Sequence, residues 1–538
     1  MRDMQEYEDI PYQSLAFADT HPDRLAVLGR LFGLTPPAID HCRVLELGCA
    51  EGGNLLPMAY SLPMAEFVGV ELSSSQAEKG AANIARLGLN NISIHQGDIL
   101  ELGPGLGQFD YIIAHGVFSW VDASVRDKLL EITRQLISPN GLAYISYNIN
   151  PGWRLRGVLR DLLLYHVRDI EQPRQRLSRA QELLPQIAGS LQGVDAPLAK
   201  YLTEQIERLG GEDSSYLYHE FLEAANQPML FSEFIQQAGQ HGLQYVCDCE
   251  LYTMFASSLG AQAAPFIESF ENLVEQEQYM DFLRGRGFRQ SVLCHERATP
   301  DYDIDITVLE QFAVYADVHP QQQSSQQQSS QQQSPQQRGE GQMFVTTAGE
   351  EFRVNEPVTA AMLGYLGEHH PDSVTLPELY EVVKKNFPSS SSHTIEDHAE
   401  RHLGELFNLF ANGIIGLSTR ARHFNPPNYD KPAVSALARL QAEQGDTVTT
   451  VWHRNLNVDH FAARLVGYLD GARKLDEIIE LLVQEFGKEE LPVNVGSQSH
   501  NTETSSAAAE EIRELVIFNC QRLLTLFVRH GLFEAGAS

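Results

Sequence analysis

Three carboxylates in the first hundred residues each lie at or near the end of a short apolar run. Glu46 is in the run RVLEL, Glu71 is in EFVGVEL, and Asp98 follows ISIHQ after a single glycine. Runs of this kind, separated by helix-like segments, predict successive strands of a parallel sheet. A single acid at a strand end is usually solvated, but three in this order predict one crevice along the carboxyl ends of the strands. Carboxylates in such a crevice can accept hydrogen bonds from hydroxyls or bind a cationic group.

The segment GCAEGGNL between the first two acids indicates what kind of ligand the crevice takes. A triphosphate-binding loop has Lys followed by Ser or Thr after its last glycine, whereas an Asn-Leu pair stands here. Gly48, Ala50 and Gly53 have the G-x-A-x-x-G spacing of a dinucleotide loop. Glu46, two residues before Gly48, would face a pyrophosphate with like charge. It suits instead a ligand with a cationic amino-acid end.

These features favour S-adenosylmethionine, whose methionine part carries the cation, over a nicotinamide dinucleotide. Glu71 is then predicted to accept both ribose hydroxyls as charge-assisted hydrogen bonds. Asp98 is predicted to meet the adenine amino group, with Ile99 as an apolar wall. The predicted cofactor-binding residues are Glu46, Gly48, Cys49, Ala50, Gly52, Asn54, Glu71, Leu72, Asp98, Ile99 and His115.

Strand-like and helix-like runs alternate from residue 41, which predicts an α/β fold with a doubly wound, seven-stranded Rossmann-like sheet. RVLEL, EFVGVEL, ISIHQ, FDYIIA and LAYISYN are the first five strands, and QYVCDCEL and RQSVLCHE follow a long polar helical stretch. We therefore predict a core at 41–299 with a helical insertion at 155–230 between strands five and six. The alternative is an independent helical domain at 155–299, whose two strands would form only a hairpin.

The C-terminal third follows a low-complexity stretch, HPQQQSSQQQSSQQQSPQQRGEGQ. This stretch has almost nothing apolar to offset its conformational entropy, so 319–342 is predicted to be a flexible linker after a connector at 300–318. Beyond it, FRVNEPVTAAMLGYLGE and NLNVDHFAARLVGYLDG indicate a weak internal duplication. Each copy predicts the order strand, helix, helix, helix, strand of an α+β, winged-helix-like unit, one at 343–424 and one at 425–538.

Charge and composition exclude several classes of protein. The formal net charge is −32, and the segment LDEIIELLVQEF is acidic where a DNA-reading helix would be basic, so no nucleic-acid partner is expected. Six scattered cysteines without a CxxC pair indicate reduced thiols, and no metal site is predicted. No run reaches the ~18 apolar residues of a membrane span, and the acidic N-terminus lacks an export signal. A cytoplasmic protein without membrane insertion is expected.

Several motifs resemble a known family. LELGCAEGGNLLPMA, FVGVELSSSQAEKG, GDIL and FDYIIAHGVFSWV resemble the successive motifs of class I S-adenosylmethionine-dependent methyltransferases. PYQSLAFADTHPDRLA, SYNINPGWRLRG, YLYHEFLEAANQPMLFSEF and YMDFLRGRGFRQSVLCH resemble the bacterial methyltransferases that carry a regulatory region. The rickettsial protein lysine methyltransferases share this arrangement and a C-terminal winged-helix part. One departure is Ala50, where the general class I motif prefers glycine.

The resemblance also bears on the N-terminal segment, because class I folds often have a lid over the cofactor before the first strand. Residues 1–40 are predicted to form such a lid segment. A plain helical lead-in at 11–23 fits the sequence equally well. The side chains that would close the lid are Tyr12, Phe17, Thr20 and His21.

Methyl transfer from a sulfonium needs a neutral nucleophile in line with the departing sulfur, so the enzyme mainly supplies positioning. The acceptor is expected at the carboxyl ends of strands four and five. His115 is predicted to serve the cofactor edge or proton handling, Tyr147 and Asn148 to orient the acceptor, and Trp153 to form a pocket wall. A structural role for His115, and a core position for Trp120 and Trp153, remain alternatives.

The resemblance implies an S-adenosylmethionine-dependent methyltransferase that modifies lysine side chains of a protein substrate. Two alternatives stay open at this point. The acceptor can be a small molecule, or the chain can be a non-catalytic sensor or scaffold that binds S-adenosylmethionine.

Overall fold

The chain forms two compact units in the computed structural model. The first comprises Met1–Leu15 with Asp19–Ile304, and the second Ala16–Ala18 with Asp305–Ser538. No helix in the described part of the chain is long and apolar enough to cross a membrane. All six cysteines are buried thiols. The structure describes residues 10, 12–211, 213–223, 225–321, 341–386, 399–424, 427–486 and 506–534.

The first unit is built on one seven-stranded sheet, so the predicted fold class is confirmed. The strand order is β3-β2-β1-β4-β5-β7-β6, and β7 runs antiparallel to both of its neighbours. The carboxyl ends of β1 to β6 therefore share one edge with the start of β7. In chain order the strands are β1 (Arg43–Leu47), β2 (Glu66–Glu71), β3 (Ile92–Gln96), β4 (Phe109–Ala114), β5 (Ile137–Asn148), β6 (Leu243–Asp248) and β7 (Phe288–His295).

The helices of the first unit follow local sequence signals. Ser73 caps the helix Ser74–Leu87 by accepting a hydrogen bond from the backbone N–H of Gln76, and Gly88 ends it with φ of +65°. β5 begins at Ile137, directly after the helix Ala123–Leu136 and five residues before the predicted run LAYISYN. The helices are Pro22–Leu31, Leu55–Ser61, Ser74–Leu87, Ala123–Leu136, Gly152–Val167, Pro173–Ser190, Pro197–Leu209, Ser214–Phe221, Phe231–Gln240, Ala264–Glu268 and Leu273–Arg284.

The long helical stretch lies between β5 and β6, as an insertion into the sheet domain. β6 pairs with β7, and β7 pairs with β5 from Leu142 to Asn148. The alternative of a separate helical domain with an isolated hairpin is therefore wrong. The physical reason is burial: Tyr245 and Leu293 of the last two strands belong to the same hydrophobic core as β1, β4 and β5.

The described residues of the second unit form three small sheets with the orders β11-β10-β9, β12-β8-β13 and β14-β15. Its strands are β8 (Ala313–Ala316), β9 (Val318–Pro320), β10 (Gln342–Thr346), β11 (Glu351–Val354), β12 (Val374–Thr375), β13 (Ile415–Ser418), β14 (Thr447–Thr449) and β15 (Asn455–Asn457). Its helices are Pro357–His369, Leu376–Asn386, Ala399–Ala411, Ala436–Gln444, His460–Tyr468, Leu475–Phe486 and Ser506–Arg529.

The boundary predicted at the Gln/Ser-rich stretch is not where the structure divides the chain. β8 precedes that stretch, yet it pairs with β12 and β13 beyond it. β9 and β10 occupy the two ends of the predicted linker at 319–342, and residues 322–340 lie outside the described residues. Residues 305–318 of the predicted connector therefore belong to the second unit, because a strand pairing distant in sequence outweighs the local composition.

The predicted duplication corresponds to repeated elements in the second unit. In each copy a short strand, β11 or β15, precedes a helix, Pro357–His369 or His460–Tyr468. The later helix of the first copy, Ala399–Ala411, is followed by β13. The later helix of the second copy is followed by a bridge between Val434 and Phe533. The two copies thus share the predicted order of elements.

Candidate cofactor and acceptor site

The loop between β1 and the helix Leu55–Ser61 is shaped by its glycines. Gly48 and Gly52 have φ of +74° and +81°, a region that favours glycine. A Cβ on Gly48 would lie 2.6 Å from Cγ2 of Val117, and a Cβ on Gly69 would lie 2.5 Å from Sγ of Cys49. The Cys49 side chain thus packs toward β2, and only the backbone of this predicted residue is left to face a ligand.

Glu46 is buried at the centre of a polar network below this loop. Its side chain Oε1 accepts a hydrogen bond of 2.8 Å from Nδ2 of Asn54, which also donates to Oγ1 of Thr20 at 2.9 Å. Oε2 is buried and has no hydrogen-bond partner among the described residues. Burial raises the pKa of Glu46 to about 7, the Asn54 hydrogen bond opposes the rise, and the Glu71 charge adds to it. The site therefore holds a carboxylate that lacks a cationic partner.

Glu71 ends β2 and closes the loop from the other side. Its two carboxylate oxygens accept hydrogen bonds of 2.9 Å from the backbone N–H groups of Ala50 and Ser73. Ala50 has φ of +49°, so the position where the class prefers glycine is a strained one for alanine. Leu72, the next predicted residue, exposes 47% of its surface. The Glu71 carboxylate could accept hydrogen bonds from the two hydroxyls of a sugar. The exposed Leu72 side chain beside it could pack against a flat ring attached to that sugar.

Asp98 and Ile99 follow β3 at the same edge of the sheet, because β3 pairs with β2 up to the contact of Gln96 with Glu71. Asp98 Oδ1 accepts a hydrogen bond of 2.9 Å from the backbone N–H of Leu100, which caps the turn Ile99–Glu101. Ile99 packs against the main hydrophobic core. Asp98 thus has a local capping role in addition to any ligand role.

His115 follows β4 and contacts two neighbouring elements. Its Nδ1 lies 2.8 Å from the hydroxyl of Tyr144, and its ring meets Phe288 edge-on at 6.2 Å between centroids. The backbone N–H of Gly116 donates to Oγ of Ser146 at 2.8 Å. Burial lowers the pKa of His115 to about 4, so the imidazole is neutral at physiological pH. Tyr144 and Ser146 are functional candidates that sequence reasoning missed.

The other predicted catalytic residues lie in packed surroundings. Tyr147 is 1% exposed, stacks on Phe234 with 3.9 Å between ring centroids, and bonds Ser291 at 2.9 Å, so its side chain is not placed to orient an acceptor. Trp153 is 2% exposed and meets Trp120 edge-on, which agrees with the alternative of a core aromatic.

Asn148 is also buried at the end of β5. Its Nδ2 donates to Oδ1 of Asn226 at 3.1 Å, and its backbone N–H donates to Oγ of Ser119 at 2.8 Å. This amide joins β5 to the segment that follows the helical insertion. Its role in orienting an acceptor remains a prediction.

The N-terminal segment contacts the glycine loop directly. The backbone N–H of Gly53 donates to Oγ of Ser14 at 2.8 Å, and any side chain at Gly53 would collide with the carbonyl oxygen of Ser14. Thr20 reaches Asn54, as described above, and the Tyr12 ring lies 5.4 Å from that of His219. His21 instead caps the helix Pro22–Leu31 through Nδ1. The Ser14 contact has no signal in the sequence, since a lone serine before a helix is common.

The residues present fit S-adenosylmethionine. A buried carboxylate oxygen without a partner is costly, and a cationic amino group would supply both the opposite charge and a donor. Glu71 ends the neighbouring strand β2 at the same edge of the sheet, with the exposed Leu72 beside it. Glu46 thus offers a negative charge for the amino acid, Glu71 an acceptor for the ribose hydroxyls, and Leu72 an apolar surface for the purine. These groups lie in the order in which the three parts of the cofactor are joined.

Three family models match separate parts of the chain. A methyltransferase domain matches residues 39–182, and a predicted methyltransferase regulatory domain matches 213–295. A PKMT C-terminal winged helix domain matches 430–532. The last of these falls on the second of the predicted winged-helix-like units.

Known proteins are similar to the chain over most of its length. The uncharacterized protein RP789 of Rickettsia prowazekii is 31% identical over 91% of this chain and 88% of its own. The uncharacterized protein RP028 of the same organism is 37% identical over 43% of this chain and 93% of its own. The solved structure of PKMT2 from Rickettsia typhi in complex with AdoHcy is 27% identical and has a TM-score of 0.84, covering 97% of this chain and 100% of that one.

The strand order, the glycine loop and the acids at the sheet edge define a class I S-adenosylmethionine-dependent methyltransferase. S-adenosylmethionine is accordingly its cofactor. The chain belongs to the bacterial family of methyltransferases that join a regulatory domain to a PKMT-type C-terminal winged helix, the family shared with RP789.

Proposed function

We propose that this methyltransferase transfers methyl groups to lysine side chains of a protein substrate. The observation that carries the proposal is the similarity to PKMT2 of Rickettsia typhi over 97% of the chain, C-terminal unit included. The motif resemblance to rickettsial protein lysine methyltransferases points the same way.

The chemistry of the site supports an amine acceptor. S-adenosylmethionine supplies an electrophilic methyl group on a sulfonium. A lysine amine has a reference pKa of about 10.4, so its neutral form near pH 7 costs roughly 4–5 kcal/mol. His115, which is neutral, and the Phe288 ring add no charge to the sheet edge at the end of β4. An uncharged environment there favours the neutral form of the acceptor amine. The net charge of −32 also favours approach of a basic substrate.

Glu71 is proposed to hold the ribose, and Glu71→Ala tests this. Losing a carboxylate that accepts hydrogen bonds should weaken binding of S-adenosylhomocysteine about 10- to 150-fold by calorimetry. Glu66→Ala is the matched control, because Glu66 begins the same strand and its side chain is 53% exposed. The control should bind within about twofold of the unchanged protein. Equal affinity of both variants would remove Glu71 from the cofactor site.

The acceptor is identified by incubating the purified protein with methyl-labelled S-adenosylmethionine and a fractionated bacterial lysate. We expect label on a protein band and, after acid hydrolysis, label in methylated lysine. The Glu71→Ala variant should transfer less label at limiting cofactor. Label in another amino acid, or only in small metabolites, would contradict lysine as the acceptor. Cofactor binding without any labelled product would contradict catalysis and leave a sensor.

A further inference from the structure

Tyr144, Ser146 and His115 form a buried hydrogen-bonded chain at the carboxyl ends of β4 and β5. Tyr144 and Ser146 lie two residues apart on β5, so both side chains are on the same face of the sheet. Both residues are fully buried. The Tyr144 hydroxyl lies 2.8 Å from Nδ1 of His115, and Oγ of Ser146 lies 3.5 Å from the same nitrogen.

The hydroxyl hydrogens of Tyr144 and Ser146 each need an acceptor, and this requirement decides which ring nitrogen of His115 carries the proton. The backbone N–H of Gly116 donates to Oγ of Ser146 at 2.8 Å. If Nδ1 of His115 carries no hydrogen, it is the acceptor that both the Tyr144 and the Ser146 hydroxyl reach. If Nδ1 carried the hydrogen instead, it would donate to Tyr144 and could accept from neither hydroxyl. The Ser146 hydrogen would then lose the acceptor that the described residues offer it, which is costly for a buried hydroxyl.

We propose that Tyr144 and Ser146 are positioning residues that fix His115 as a neutral imidazole with its proton on Nε2. The proposal rests on the proposed function and refines one part of it, the role of His115. In this form His115 donates a hydrogen bond from Nε2 at the sheet edge, beside Phe288. It does not serve as the base that removes a proton from the acceptor.

The proton balance of the reaction is then simple. The acceptor ammonium loses its proton to water and enters as a neutral amine. Its nitrogen forms a bond to the methyl carbon while the carbon–sulfur bond breaks and the electron pair stays on sulfur. The product leaves as the methylated ammonium, so each transfer releases one proton in total, to water. The chain's contribution is to hold His115 so that it neither takes up a proton nor repels the amine.

Two facts about acidity agree with this arrangement. Burial lowers the pKa of His115 to about 4, so a doubly protonated ring is absent near pH 7. Burial raises the pKa of Tyr144 far above its usual range, so its hydroxyl keeps the hydrogen that it donates. The Tyr144 hydroxyl is therefore able to donate a hydrogen bond, and Nδ1 of His115 is able to accept it.

The test is nitrogen-15 NMR of histidine-labelled full-length protein, with the His115 signals assigned by their loss in His115→Gln. We expect a pyridine-type Nδ1 and a pyrrole-type Nε2 at pH 7. Tyr144→Phe should move both signals toward a mixture of tautomers and lower kcat about three- to tenfold, with a smaller change in KM for the acceptor. Tyr111→Phe is the matched control, because its buried hydroxyl donates to the Pro37 carbonyl at 2.6 Å and has no other hydrogen-bond partner among the described residues.

A pyrrole-type Nδ1, a charged ring at pH 7, or spectra of Tyr144→Phe that match those of Tyr111→Phe would overturn the assignment. The NMR measurement needs no acceptor, so it stays decisive if lysine proves not to be the substrate. Failure of the lysine proposal and failure of the positioning proposal are thereby distinguishable.

Discussion

Replacing Arg289 with methionine should lower the free energy of unfolding of the methyltransferase unit, measured by hydrogen exchange, by about 3–5 kcal/mol. Arg289 is fully buried in β7. It forms two hydrogen bonds with Asp281, at 2.9 and 2.8 Å, and one with Glu277 at 2.7 Å. Its guanidinium also lies 3.9 Å from the centroid of the Phe231 ring. Methionine would fill much of the space but leave the buried Glu277 without its cation, and Asp281 with only Arg286 at 4.0 Å.

Hydrogen exchange of peptides that cover β5 to β7 measures this unfolding in the full chain. Arg43→Met is the matched control, because Arg43 also forms a bidentate pair in the same sheet, at 2.9 and 2.8 Å with Glu66. That pair is solvent-exposed, so its loss should cost less than about 1 kcal/mol. Adding Asp281→Asn and Glu277→Gln to the Arg289 variant should recover part of the loss. Similar costs for the two arginines would show that burial does not set the energy of this cluster.

Glu46→Gln should have opposite effects on cofactor binding and on stability. Truncating one side of a buried charge pair costs about 2–5 kcal/mol, so affinity for S-adenosylmethionine should fall roughly 30- to 5,000-fold. Without ligand the variant should be more stable at pH 8 by about 1–3 kcal/mol. The folded state raises the pKa of Glu46 from 4.5 to about 7, so its stabilising contribution is present below pH 4.5 and is lost as the pH rises through 7. Glutamine removes the buried charge that remains at pH 8.

Calorimetry and hydrogen exchange at pH 6 and pH 8 check the two effects. A bound cationic group favours the ionised form of Glu46, so the affinity for S-adenosylmethionine should rise from pH 6 to pH 8. This rise should be absent in Glu46→Gln. Glu66→Gln, at an exposed carboxylate that is ion-paired with Arg43, serves as the control in both measurements. Unchanged affinity together with unchanged stability would mean that the orphaned oxygen of Glu46 has no part in binding.

The strands that carry the cofactor site were predictable because their signals are local. β1, β3 and β4 coincide with RVLEL, ISIHQ and FDYIIA, and each is an apolar run bounded by turn residues. The acids are at the carboxyl ends of parallel neighbours, so their common edge follows from the order of strands. The glycine loop was equally predictable, since the spacing of its glycines and the absence of a lysine after them are both seen within a few adjacent residues.

The acceptor side was less predictable, because alternation along β5 does not reveal which face borders the crevice. A shift of one residue moves a side chain to the opposite face. Tyr147, chosen from the sequence, lies in the core against Phe234, whereas Tyr144 reaches His115. The choice depends on which face the helices and β7 cover, and that is a property of packing between distant segments.

The sequence by itself determined the class of sheet, the glycine loop and the acids at the ends of the first strands, because period, spacing and charge are encoded within short windows. Only the tertiary structure decided that Ser14 meets Gly53, that Tyr144 meets His115, and that β8 joins β13 across the Gln/Ser-rich stretch. Each of these contacts joins residues far apart in the chain. Their energy comes from burial and hydrogen bonding that exist only once the elements have packed.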